Sequence, residues 1–121
     1  MVRPASSPEV SVSAADQVGL VRSLGLEGRG YASAEAFLDS GDAKRFAAVI
    51  TDIQMPGMSG IELKQHLAGR HCKLPVIMIT ARPDPSLEEK ALAAGASAFL
   101  RKPFEASVLI SRLGDALGRQ F

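Results

Sequence analysis

The sequence predicts one α/β domain built on a parallel sheet, and two observations carry that prediction. Ala47 to Thr51 and Pro75 to Ile79 are short, largely apolar runs. Runs of this length read as strands buried on both faces, as happens when helices cover both sides of a parallel sheet. Each run is followed by a helix-start signal, Ser59 with Glu62 and Ser86 with Glu89. In such a capping box the Ser and Glu side chains satisfy each other's backbone N–H groups.

Taken in order, Met1 to Pro8 holds two Pro and two Ser and no apolar period, so residues 1–8 read as a tail and 9–121 as the domain. Val10 to Ser13 is the first strand, although its alternation of Val and Ser suits a sheet with one wetted face. Asp16 to Leu24 reads as a short helix with Asp16 as N-cap and Leu20, Val21 and Leu24 inward. Gly19 in its middle costs about 1 kcal/mol relative to Ala. Three glycines between Gly25 and Ala32 confine the second strand to a short edge position. Ser33 caps a helix from Ala34 to Asp39 with Phe37 and Leu38 inward, closed by Ser40 to Asp42.

The third strand then ends at Asp52. Met55-Pro56-Gly57-Met58-Ser59-Gly60 turns the chain into a helix from Gly60 to Ala68, with Ile61, Leu63 and Leu67 as its apolar residues. The fourth strand stops at Thr80, Pro83-Asp84-Pro85 breaks the chain, and a helix from Leu87 to Ala94 ends at Gly95. Ser97 to Leu100 is the fifth strand. Glu105 to Phe121 is the last helix, with Leu109, Leu113, Leu117 and Phe121 at steps of four and Ile110 beside them.

Composition narrows the function. A length of 121 residues allows one core, and 46% hydrophobic residues are enough to fill it. Net charge +1 and the absence of a basic stripe argue against direct nucleic-acid binding. One cysteine, Cys72, permits no internal disulfide, and no stretch near 18 apolar residues or leader is present, so the expectation is a cytoplasmic chain without a membrane span. His66, His71 and Cys72 lack metal-ligand spacing and read as structural or solvent-facing residues.

The chemistry gathers where strands end. Asp52, Thr80 and Lys102 each stand just past an apolar run, on the edge where ligands collect in open α/β sheets. An acid, a hydroxyl and a lysine suit acyl-phosphate chemistry, in which a carboxylate attacks phosphorus and the other two hold the phosphoryl oxygens. Together with Met55-Pro56-Gly57-Met58-Ser59-Gly60, Thr80-Ala81 and Lys102-Pro103-Phe104, these residues resemble the receiver domain of bacterial two-component response regulators, over roughly Val10 to Leu117.

The resemblance implies a flavodoxin-like (βα)5 domain with strand order 2-1-3-4-5. It also implies Asp52 as phosphoacceptor, Thr80 as switch hydroxyl, Lys102 as phosphate-contacting lysine, Phe99 as switch aromatic, and a cis Lys102–Pro103 bond. Magnesium is the implied cofactor, held by Asp52 and the Gln54 backbone. Receivers place two adjacent acids after the first strand, whereas Ser13-Ala14-Ala15 stands there, leaving Asp16 and Glu9 nearby. Weak magnesium binding is the expectation, with Asp16 reading better as a helix cap than as a ligand. The implied partners are a histidine kinase or phosphotransfer protein, and an output domain or second copy on the face of the fourth helix, fifth strand and fifth helix.

Two functions follow. One is a phosphoaccepting receiver with only self-phosphorylation and self-dephosphorylation chemistry and no external turnover. The other is a degenerate receiver that serves as a phosphate-independent interaction or dimerisation module, favoured by the missing acids and by a loop stiffened at Pro83 and Pro85. A phosphatase with an aspartyl-phosphate intermediate needs a second acid two residues after Asp52, where Gln54 stands.

Overall fold

The computed structural model describes residues 9–12, 18–25, 27–31, 33–39, 46–54, 57–69, 74–82 and 84–118. Strands and helices alternate: β1 (Glu9–Val12), α1 (Val18–Ser23), β2 (Glu27–Gly30), α2 (Ala34–Asp39), β3 (Ala48–Asp52), α3 (Gly60–Gly69), β4 (Val76–Thr80), α4 (Pro85–Ala93), β5 (Ala98–Arg101) and α5 (Ala106–Leu117). These strands pair in parallel in the order β2-β1-β3-β4-β5. The tail at 1–8, the Ser13 to Asp16 corner, the helix stop at Ser40 to Asp42, and Pro83 lie outside the described residues.

Strand periodicity builds two cores. Successive residues of a strand point to opposite faces, so Ile50, Ile77 and Ile79 join Val10, Val12, Val21, Leu109 and Leu113 in one cluster, beneath α1 and α5. Val49, Val76 and Met78 turn the other way, toward Phe37, Leu63, Leu67 and Leu87 of α2, α3 and α4. Each of these Leu, Ile and Val side chains contributes about 1.5–3 kcal/mol by leaving water. In β1, which lies between β2 and β3, the alternation puts Val10 and Val12 on one face, fully buried in the core beneath α1 and α5.

The helix ends agree with the sequence in two cases and correct it in two. Ser33 Oγ accepts the Ala36 N–H at 3.0 Å, capping α2. Before α3 the Ser59 N–H donates to Glu62 Oε1 and the Glu62 N–H donates to Ser59 Oγ, both at 3.1 Å, a reciprocal capping box. At α4 the sequence placed the cap on Ser86, but Asp84 holds it. Asp84 Oδ1 accepts the Ser86 N–H at 2.9 Å and the Ser86 hydroxyl at 2.8 Å, and Pro85 opens the helix. A carboxylate is the stronger acceptor, and proline is pre-organised for the first helical position. The last helix stops at Leu117 rather than Phe121, because Gly118 adopts a left-handed conformation at φ 67°.

Candidate functional site

Asp52 closes β3, Thr80 closes β4, and Lys102 follows β5 by one residue. The parallel register sets Asp52 opposite Ile79 and Thr80 opposite Arg101, so the three residues step across adjacent strands at one edge of the sheet. Neighbouring strands lie about 4.8 Å apart. Two backbone hydrogen bonds fasten that edge: the Ile53 N–H donates to the Ile79 carbonyl and the Lys102 N–H donates to the Thr80 carbonyl, each at 2.8 Å. Asp52 and Lys102 are half-buried, whereas the Thr80 side chain is 2% exposed. The Lys102–Pro103 bond is cis.

The hydroxyl of Thr80 is fully engaged in two directions. It donates to Gln54 Oε1 at 3.2 Å and accepts the Arg82 N–H at 3.1 Å. The sequence reading used Gln54 for its backbone carbonyl and as the residue standing where a phosphatase needs a second acid, and it missed this side-chain contact. The available signal was its position two residues past Asp52, on the same sheet edge as Thr80.

The turn after Asp52 is held from both sides. The Gly60 N–H donates to the Ile53 carbonyl at 3.0 Å, closing the loop into α3. A Cβ at residue 60 would stand 2.7 Å from the Asp52 carbonyl oxygen, so glycine is what lets α3 begin this close to the strand. From α2, Glu35 Oε2 accepts the Met58 N–H at 3.1 Å. Gly57 leaves room for that carboxylate, since a side chain there would collide with it. Nothing in the sequence marks Glu35 for this role, because its partner is 23 residues away.

Phe99, on β5, is half-buried against the core cluster beneath α2, α3 and α4. The Arg101 guanidinium lies 5.7 Å from its ring centroid, a cation–π contact. Asp16, His71 and Cys72 fall outside the described residues, and His66 is exposed on α3. Among the described residues no group of three or more His, Cys, Asp or Glu gathers to hold a metal. The Asp52 carboxylate is nevertheless the hard oxygen donor that Mg2+ takes. No helix among the described residues is long and apolar enough to cross a membrane.

An acid, a buried hydroxyl and a lysine on the carboxyl edge of a parallel sheet define a recognisable class, and comparison with known proteins agrees. The family model of the response regulator receiver domain matches residues 14–114. The chain is 39% identical over 100 residues to the transcriptional regulatory protein FixJ of Azorhizobium caulinodans, covering 83% of this chain and 47% of that protein. It is 37% identical over 98 residues to the response regulator protein TmoT of Ectopseudomonas mendocina, covering 81% of this chain and 44% of that one. The chain thus spans about half the length of these curated relatives. Among solved structures, a response regulator receiver protein from Burkholderia phymatum superposes with a TM-score of 0.80 at 42% identity, over 93% of this chain and 97% of that one. The crystal structure of FixJ-N gives a TM-score of 0.80 at 28% identity, over 98% of both chains. The chain belongs to the response regulator receiver domain family of bacterial two-component signalling. Receiver domains of this family bind Mg2+ at their acidic pocket.

Proposed function

We propose that Asp52 accepts a phosphoryl group from a histidine kinase or phosphotransfer protein, in the cytoplasm, and that Thr80 and Lys102 hold the phosphoryl oxygens. A carboxylate oxygen of Asp52 forms the new O–P bond, the donor's P–N bond breaks, and the electron pair stays on the imidazole nitrogen. Lys102 supplies a cation and Thr80 a hydrogen-bond donor to charge that builds on those oxygens. Return to the resting state is attack of water at phosphorus with release of the Asp52 carboxylate. The chain turns over no external substrate. Asp52 and the Gln54 carbonyl would hold Mg2+, with Asp16 and Glu9 the nearest acids in sequence to the altered corner, and the ion when bound would neutralise phosphoryl charge. Its binding is weak because Ser13-Ala14-Ala15 replaces the usual pair of acids.

The phosphoryl group carries roughly two negative charges where the Asp52 carboxylate carried one, and it biases a pre-existing equilibrium at Thr80 and Phe99. The readout is the surface of α4, β5 and α5, which takes an output domain or a second copy. Leu92 on α4 and Val108 on α5 support this choice, as the large apolar side chains left exposed among the described residues. The observation that carries the whole reading is the placement of Asp52, Thr80 and Lys102 on adjacent strand ends, fastened by the bond from the Lys102 N–H to the Thr80 carbonyl.

Incubation with acetyl phosphate, with and without magnesium, followed by intact-mass measurement tests it. A magnesium-dependent phosphoryl adduct is expected on the wild type and none on Asp52→Asn; an equal adduct on both proteins contradicts the assignment. A second reading, a phosphate-independent interaction module, draws support from Ser13-Ala14-Ala15. It requires that no adduct form and that Asp52→Asn leave partner binding unchanged.

A further inference from the structure

Thr80 has one hydroxyl proton, and in this structure Gln54 has it. The bond to Gln54 Oε1 spans 3.2 Å, and the Arg82 N–H pins the oxygen from a second side at 3.1 Å. With Thr80 2% exposed, little water can reach the hydroxyl to substitute for either partner. A phosphoryl oxygen on Asp52 is purely an acceptor near neutral pH, so it needs that same proton, and a single O–H serves one strong acceptor at a time. Gln54 is itself exposed, which leaves its carboxamide free to solvate once released.

We infer that the Gln54 side chain is a positioning residue that competes with the phosphoryl group for the Thr80 hydroxyl, and thereby sets how readily phosphorylation draws Thr80 inward. This rests on the phosphoacceptor reading of Asp52. It concerns the carboxamide alone and is separate from any use of the Gln54 backbone carbonyl. A receptor held partly in a non-binding arrangement shows an apparent affinity reduced by the fraction that is competent. Removing the competing acceptor therefore strengthens anion binding, but only while Thr80 is there to be released.

The test uses the full chain and beryllofluoride, a phosphoryl mimic, with excess magnesium. Gln54→Met keeps the length of the side chain and removes the acceptor. Its affinity for beryllofluoride is expected to rise about threefold to tenfold, the worth of one ordinary hydrogen bond. In a Thr80→Ala background the same substitution is expected to change nothing. Equal tightening in both backgrounds, no change in either, or weaker binding overturns the inference. A second measurement needs no anion: the Thr80 methyl resonance and Arg82 amide exchange are expected to shift in Gln54→Met and to stay near wild type in Gln54→Glu, which retains an acceptor oxygen. Identical spectra for wild type and Gln54→Met also overturn it. The two failures are distinguishable. If the wild type and Asp52→Asn both ignore beryllofluoride, the phosphoacceptor reading falls and takes this inference with it; if binding depends on Asp52 but not on Gln54, the inference falls alone.

Discussion

The half of the sheet made of β3, β4 and β5 is flanked by helices of 10, 9 and 12 residues, whereas the half made of β1 and β2 carries two helices of six. Asp52, Thr80 and Lys102 all belong to the first half, and the corner where receivers keep their paired acids belongs to the second. A six-residue helix has little stability of its own, so α1 and α2 persist through what they touch. For α2 that is Phe37, fully buried and packed edge-on against Tyr31 at 5.4 Å and tilted against Phe46 at 5.5 Å. For α1 it is Val21 in the core and the Arg22 guanidinium, which donates twice to the Gly28 carbonyl of edge strand β2, at 3.2 and 3.1 Å. The difference teaches that the phosphate-holding edge rests on long helices with many core residues each, while α1 and α2 join the same cores through few residues, reinforced by an aromatic anchor and a guanidinium clasp.

The largest test of that contrast is Phe37→Ala. Losing the ring from between Tyr31 and Phe46 is expected to lower the unfolding free energy by about 3–5 kcal/mol in a urea titration. A loss under about 1 kcal/mol, the scale of an ordinary surface change, would break the comparison by showing that α2 does not depend on its aromatic anchor. Arg22→Ala comes next. Removing two hydrogen bonds to one carbonyl at a partly exposed site is expected to cost about 1 kcal/mol. Hydrogen exchange should then quicken in α1 and β2 and stay unchanged in β4. Faster exchange in β4 as well would mean that the two halves open together.

The smallest effect lies in the better-built half, at the start of α4. Hydrogen bonds from the Ser86 hydroxyl and N–H hold the Asp84 carboxyl below its ordinary value of 3.8. A depressed acid stabilises the fold above its unfolded value. That contribution is complete at neutral pH and is lost as pH falls below 3.8 through the lower folded value. Tm measured across this acid range should fall less steeply for Asp84→Asn than for wild type. Parallel curves would show that the ionisation of Asp84 adds nothing to the cap.

Much of the site was legible because each chemical residue follows an apolar run, and such runs announce parallel strands and their ends. The parallel sheet with alternating helices, Asp52 after Ile50 and Thr51, Thr80 after Ile79, and the Ser59 box were all readable locally. What escaped depends on contacts between distant parts of the chain or on competition between neighbours. Glu35 reaches Met58 across the fold, and Gln54 meets Thr80 from the loop that follows the adjacent strand. Asp84 outcompetes Ser86 for the α4 cap because its carboxylate collects two donors. The end of the last helix was misplaced because the apolar step of four continued to Phe121 while Gly118 had already reversed the backbone.

The central claim is that one small anion site joins three strand ends. Amide spectra recorded before and after phosphorylation by acetyl phosphate test it directly. Shifts are expected to concentrate at residues 52–54, 80–82 and 101–104 together, with α1 and β2 nearly still, and to vanish at 80–82 and 101–104 in Asp52→Asn. Shifts confined to the loop after Asp52, with Thr80 and Lys102 unmoved, would contradict the shared site.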